Sequence, residues 1–209
     1  MSSPSGPTSS SSAGERGARM LIACVGNIFL GDDGFGVEVA RRLATRDYPV
    51  GVEVIDFGIA GVDLAYTLLD GCETLVLVDA VARGGPPGTL YVIEPDAPPS
   101  TDATPEARTR GAGLDAHSMD PLKTLAFAYR LGAQPGRTLL VGCEPGWIPG
   151  EDELAMGLSA PAQAALTQAV DIIDALVAQY HPAASATQGN ATQPKGDTSW
   201  AHASAHPSP

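Results

Sequence analysis

The amino-acid sequence predicts an α/β fold: three layers, α/β/α, around a mixed, mostly parallel five-stranded sheet with one antiparallel strand. Three observations carry this reading. Short apolar runs alternate along the chain with amphipathic stretches, the pattern of a parallel sheet covered by helices on both faces. Each run is bounded by Gly, Pro or an acidic residue, the punctuation that ends strands. The link between the third and fourth runs, AVARGGPPG from Ala80 to Gly88, is too short and too rich in Gly and Pro for a crossover helix, so those two strands run in opposite directions.

The strands are expected at Met20 to Val25, Val52 to Asp56, Thr74 to Asp79, Thr89 to Ile93 and Thr138 to Cys143. Between and after them, apolar residues recur at helical spacing. Phe35, Val39 and Leu43 form one stripe, and Leu64, Ala65 and Leu68 a second. Leu122, Leu125, Ala126 and Tyr129 form a third, and the strongest is Leu166, Ala169, Val170, Ile173, Leu176 and Val177. Asp120 before Pro121 reads as an N-cap with Pro at the first helical position, and Ser159 ahead of Pro161 reads as a similar start.

Residues 1–19 and 182–209 are rich in Ser, Gly, Pro, Ala and Thr, a composition that buries too little apolar surface to offset the entropy of ordering. They are expected to be disordered tails around one folded domain, residues 20–181. The whole chain of 209 residues has 24 acidic against 12 basic side chains, a formal charge of −12. That balance repels nucleic acid and anionic membrane surfaces. No apolar run approaches the ~20 residues needed to span a bilayer. The opening MSSPSGPTSSSS lacks the charged start and apolar stretch of a secretory signal, so the cytoplasm is the expected compartment. Cys24, Cys72 and Cys143 form no CxxC pair and read as small buried thiols.

In an open α/β sheet the ligand site lies beyond the carboxyl ends of the parallel strands, and three features fall there. The first strand runs into GNIFLGDDGFG, Gly26 to Gly36. The third ends in Asp79. A long loop after the fourth holds Asp115 and His117. A dinucleotide site on the glycine loop, with Asp56 as ribose-binding acid, is one alternative, but the glycines are spaced GxxGxG rather than GxGxxG. Asp32 and Asp33 would also place negative charge where a pyrophosphate must sit. Either aspartate could cap the helix that begins near Gly34, and Asp32 is the one expected to do so. Asp79 could simply accept hydrogen bonds from the next turn. Taken together, Asp33, Asp79 and His117 form a mixed oxygen and nitrogen set suited to a borderline divalent metal such as nickel, zinc or manganese.

The ordered succession of motifs resembles the hydrogenase maturation proteases. It comprises Gly26-Asn27, the loop Gly31-Asp32-Asp33-Gly34-Phe35-Gly36, DFGIAG from Asp56 to Gly61, Asp79 closing an apolar strand, and Gly88-Thr89. His117 before a helix, Gly142 to Pro145 and Gly157-Leu158-Ser159 complete it. The resemblance, covering Met20 to about Tyr180, implies an aspartic-type, nickel-dependent endopeptidase. Such an enzyme removes the C-terminal extension of the [NiFe]-hydrogenase large-subunit precursor, its expected partner. It places the catalytic and metal-contacting acids at Asp33 and Asp79, the metal-contacting histidine at His117, and substrate recognition at Gly58, Ile59, Ala60 and Gly61. Nickel is implied to arrive within the precursor, with zinc or cadmium able to replace it in vitro. Many members carry Glu where this chain has Asp33. A non-catalytic nickel-sensing chaperone that uses the same acids is the other alternative. No GxSxG elbow is present and neither Cys24 nor Cys143 has a basic neighbour in sequence, which disfavours covalent catalysis.

A chain trimmed to residues 20–181 is expected to keep the thermal midpoint of the full protein in a melting experiment; a clear loss would show that the tails pack.

Overall fold

The structure, a computed structural model, describes residues 20–95, 121–150 and 153–182. The expected tails, apart from Pro182, lie outside these, as do Asp115, His117 and Asp120. In chain order the elements begin with β1 (Met20–Val25), a 3-10 turn (Gly31–Gly34), α1 (Phe35–Leu43) and β2 (Val52–Gly58). Next come α2 (Gly61–Thr67), prolonged by a 3-10 turn (Leu68–Asp70), and β3 (Thr74–Ala80). β4 (Leu90–Ile93), α3 (Pro121–Leu131), β5 (Arg137–Cys143) and α4 (Ala160–Tyr180) complete the fold. All five expected strands are present, and all four helical stripes fall on helices.

The strand order is β2-β1-β3-β5-β4. β2, β1, β3 and β5 pair in parallel, and β4 runs antiparallel to β5. β4 therefore opposes β3, as the short link requires, but β5 lies between the two and they form no hairpin. The link instead crosses the end of β5 and bonds to it. The Val81 N–H donates to the Cys143 carbonyl and the Gly88 N–H to the Glu144 carbonyl, both at 2.8 Å.

Residues of β1 and β3 are buried along almost their whole length, which explains their unbroken apolar runs. Side-chain alternation divides the core into two halves. Ile22, Cys24, Val76 and Val78 pack with α1 and α4, whereas Leu21, Ala23, Leu75 and Leu77 pack with α2 and α3. α4 begins as its sequence predicts: Ser159 is the N-cap, its hydroxyl accepts from the Ala162 N–H, and Pro161 sits in the first turn.

The chain leaves β1 for β2 on one side and crosses to β3 on the other, so the boundary between β1 and β3 is the topological switch point of the sheet. The start of α1 is pressed onto that boundary. A Cβ at Gly36 would overlap the carbonyl oxygens of both Val25 and Val78, the ends of the two strands. Gly36→Ala is therefore expected to lower the unfolding free energy by about 3 kcal/mol through overpacking. In urea this would appear as a lower midpoint with an unchanged m-value; an unmoved midpoint would show that α1 can retreat from the strands.

Candidate functional site

The loop between β1 and α1 is curled around the second of its two aspartates. The Asn27 N–H donates to Asp33 Oδ2 at 3.0 Å and lies 3.2 Å from the Asp33 carbonyl oxygen, while Asn27 Oδ1 accepts from the Phe29 N–H at 3.0 Å. The loop's glycines are needed for close packing against protein atoms. A Cβ at Gly31, where φ is +59°, would stand 2.9 Å from the Trp147 carbonyl oxygen, and one at Gly26 would overlap the Asp33 carbonyl. These contacts account for the glycines without a phosphate to cradle.

The two adjacent aspartates have opposite environments. Asp32 is only 1% exposed. Its Oδ1 accepts from the Ser159 N–H at 2.6 Å. Its Oδ2 accepts from the N–H groups of Gly146 at 2.6 Å and Trp147 at 3.0 Å, and from the Ser159 hydroxyl at 2.7 Å. Burial pushes its carboxyl pKa up, but the Ser159, Trp147 and Gly146 donors together outweigh burial and hold it below the ordinary aspartate value. The expectation that Asp32 caps its own helix is corrected. The cap position of α1 is Gly34, with no side-chain cap bond, and the Asp32 carboxylate is spent on the residues ahead of α4. Asp33 is half-buried and accepts one hydrogen bond among the described residues, from Asn27. Burial raises its carboxyl above the ordinary value, and the Asn27 amide only partly opposes the rise.

Asp79 closes β3, 4% exposed, with Oδ1 accepting from the Ala80 N–H at 2.8 Å. Alternation sets it on the same sheet face as Leu75 and Leu77, and the 3-10 turn that holds Asp33 packs against β3. The Gly58 to Gly61 segment leaves the end of β2 at the same edge. The Gly58 carbonyl accepts from the Gly26 N–H at 3.0 Å, tying this segment to the first loop. Asp56, weighed above as a ribose ligand, braces the turn instead, Oδ1 accepting from the Gly58 N–H at 2.9 Å. Ile59 is exposed at the tip. α3 starts beside this segment: a Cβ at Gly61 would lie 2.8 Å from Thr124 Oγ1. The structure thus brings Asp33, Asp79 and the segment Gly58, Ile59, Ala60 and Gly61 to one edge. His117 lies outside the described residues, and among those described no three His, Cys, Asp or Glu side chains are grouped to hold a metal ion.

Sequence reasoning gave no role to Glu144. Directly after β5, it is buried and accepts from the Arg83 N–H at 2.8 Å, the Gly84 N–H at 3.0 Å and the Tyr91 hydroxyl at 2.9 Å. Burial pushes its pKa up, but these donors and the Gly85 N–H bring it below the ordinary glutamate value. Its one signal in the sequence was a carboxylate placed between an apolar strand and Pro145-Gly146. Burial pushes the Cys143 thiol up to about 12, with the charges of Asp32 and Glu144 adding to the effect. Burial raises the Cys24 thiol as well, reinforced by the charge of Asp56. Neither can supply a thiolate nucleophile at neutral pH, in line with the expectation against covalent catalysis.

The fold agrees with what comparison shows. The model of a family described as hydrogenase maturation protease, HycI, matches residues 37–175. The hydrogenase expression/formation protein HupM of Azotobacter chroococcum mcd 1 is 32% identical over 176 residues, 83% of this chain and 78% of its own length. Among solved structures, the hydrogenase maturating endopeptidase HybD from E. coli aligns with a TM-score of 0.59 at 25% identity, over 77% of this chain and 93% of that one. The hydrogenase 2 maturation peptidase from Thaumarchaeota archaeon SCGC_AB-539-E09 aligns with a TM-score of 0.54 at 33% identity, over 76% and 97%. The chain belongs to the hydrogenase maturation protease family, and so to the peptidases.

Asp32→Asn would turn an amide NH2 toward backbone donors and is expected to lose about 3 kcal/mol of stability at pH 7. The folded pKa of Asp32 is depressed, so its contribution is complete above the unfolded value of ~3.9 and is lost as pH falls through the lower folded value. Thermal midpoints measured from pH 7 to pH 3 should therefore fall less steeply below pH ~4 in the variant than in the wild type.

Proposed function

We propose that this protein is the endopeptidase that removes the C-terminal extension from the large-subunit precursor of a [NiFe]-hydrogenase, recognising the nickel already bound there. One observation carries the reading. Two carboxylates with unlike surroundings, Asp33 in the 3-10 turn that follows β1 and Asp79 near the end of β3 against which that turn packs, lie at the switch point of a fold shared with hydrogenase maturation endopeptidases. Asp33, raised by burial and accepting on its side chain from a single donor among the described residues, keeps lone pairs for a ligand or for a proton. Asp79, anchored at the end of a buried strand, supplies a fixed second carboxylate.

His117 supplies the third contact to the precursor's nickel, for which zinc or cadmium can stand in vitro. The segment Gly58 to Gly61 meets the precursor beside it. A carboxylate next to the scissile amide acts as general base toward water, as an aspartic-type peptidase requires. The nickel held in the precursor, as a Lewis acid, would help to polarise the reacting groups. We place the enzyme in the cytoplasm, the compartment expected from its opening sequence.

The test is cleavage of purified, nickel-loaded precursor. Wild-type protein is expected to release the C-terminal fragment. Asp79→Asn should lower turnover at least ~100-fold, the scale of a lost general base, while Asp33→Glu, which restores the residue many relatives carry, should retain most of it. Precursor left intact by the wild type would overturn the function, and full turnover by Asp79→Asn would overturn the residue assignment.

A further inference from the structure

Between β5 and α4, residues 153–156 run extended beside the first loop. The Ala155 N–H donates to the Phe29 carbonyl and the Gly31 N–H donates to the Ala155 carbonyl, each at 2.8 Å. This is one rung of a parallel ladder, centred on Leu30 and Ala155. Both backbone groups of Ala155 face the first loop, so strand alternation turns the N–H and C=O of Leu154 and Met156 the other way. Neither residue has a backbone partner among the described residues. Their side chains share one face and are 80% and 74% exposed. The run is bounded on both sides: the Glu153 N–H donates to the Gly150 carbonyl at 3.0 Å, and Gly157, with φ +89°, turns the chain toward Ser159.

This short open edge adjoins the proposed catalytic turn. Its rung ends on Gly31, two residues before Asp33, and the next N–H, that of Asp32, donates to the Trp147 carbonyl at 3.0 Å. Phe29 and Trp147, whose carbonyls accept from Ala155 and Asp32, are both about half exposed. The edge is also charged at one end, where Glu153 is exposed, in a chain of net charge −12.

We propose that Leu154 and Met156 form a substrate-docking edge, onto which an extended segment of the precursor adds as a short β-strand. Strand addition satisfies the outward N–H and C=O groups, and a protease must in any case hold its substrate extended. Charge complementarity gives the segment its chemistry: apolar side chains lie against Leu154 and Met156, and a basic residue faces Glu153. Backbone pairing supplies affinity while the two side chains and Glu153 supply selectivity. The proposal rests on the peptidase reading above.

The experiment is steady-state cleavage of nickel-loaded precursor by the full chain. The double variant Leu154→Asp/Met156→Asp should raise KM by roughly tenfold or more, a loss of about 1.4 kcal/mol of binding, while kcat stays near the wild-type value. Leu154→Pro deletes one outward N–H, leaves the Ala155 rung intact, and should also raise KM. In a second measurement, wild-type protein is challenged with synthetic copies of the precursor's C-terminal segment as competitors, each N-methylated at one backbone position. Inhibition should be lost at alternate positions and kept at those between. Wild-type KM in both variants, or inhibition with no period of two, would overturn the docking edge. A wild-type enzyme that leaves the precursor uncut fails the proposed function instead.

Discussion

The carboxylate of Asp32 is the charge around which one end of this molecule is assembled. A buried anion is costly unless donors replace its lost water. Asp32 draws its donors from Gly146 and Trp147 in the loop after β5 and from Ser159 at the start of α4. Those groups are themselves donors that need an acceptor, since the first N–H groups of a helix and the turn before it have no partner of their own. The positive end of α4 adds a favourable field to the same spot. One charge therefore joins the first loop, the last loop and the longest helix. Glu144 does comparable work two residues ahead of Gly146, gathering Arg83 and Gly84 from the link between β3 and β4 and Tyr91 from the adjoining strand β4.

This arrangement lets two neighbouring aspartates differ so sharply. With its oxygens committed to four donors, Asp32 is held ionised and immobile. Asp33, next in the chain and in the same 3-10 turn, accepts from a single amide donor among the described residues. Burial only partly offset by the Asn27 amide raises its pKa, whereas burial more than offset by donors leaves that of Asp32 lowered. Pairs of carboxyl groups with pKa values driven apart by their surroundings mark a division of roles. Here one fixes the turn and the other remains available at its surface.

Local pattern was enough to read the strands, the four helical stripes, the Ser159 cap and the placement of Asp79 at a strand end, because each depends on residues close together in the chain. What escaped depends on distant pairs. Asp32 meets Gly146 and Ser159 across more than a hundred residues, so an acid followed by a glycine and a helix read as a local cap. Glu144 gave no signal beyond its place after an apolar strand, since its partners lie more than fifty residues earlier, in the link from β3 to β4 and in β4 itself. The same link set the direction of β4 correctly but could not reveal that β5 would insert between β3 and β4. The open edge at Leu154 and Met156 was invisible for the same reason, as it exists only once Ala155 pairs with the first loop.

The insertion of β5 has a further consequence, for the order in which the protein can be made. β4 leaves the ribosome before β5, yet among the described residues β5 is its only partner in the sheet. Residues 90–93 must therefore wait, unpaired, until Arg137–Cys143 have been synthesised and have docked on β3. β2, β1 and β3, by contrast, find all their mutual partners within the first 80 residues. Folding during synthesis thus proceeds from a three-stranded amino-terminal unit, with β5 and then β4 added to one side. Any delay at that stage leaves the apolar flank of β3 open to pairing with another chain.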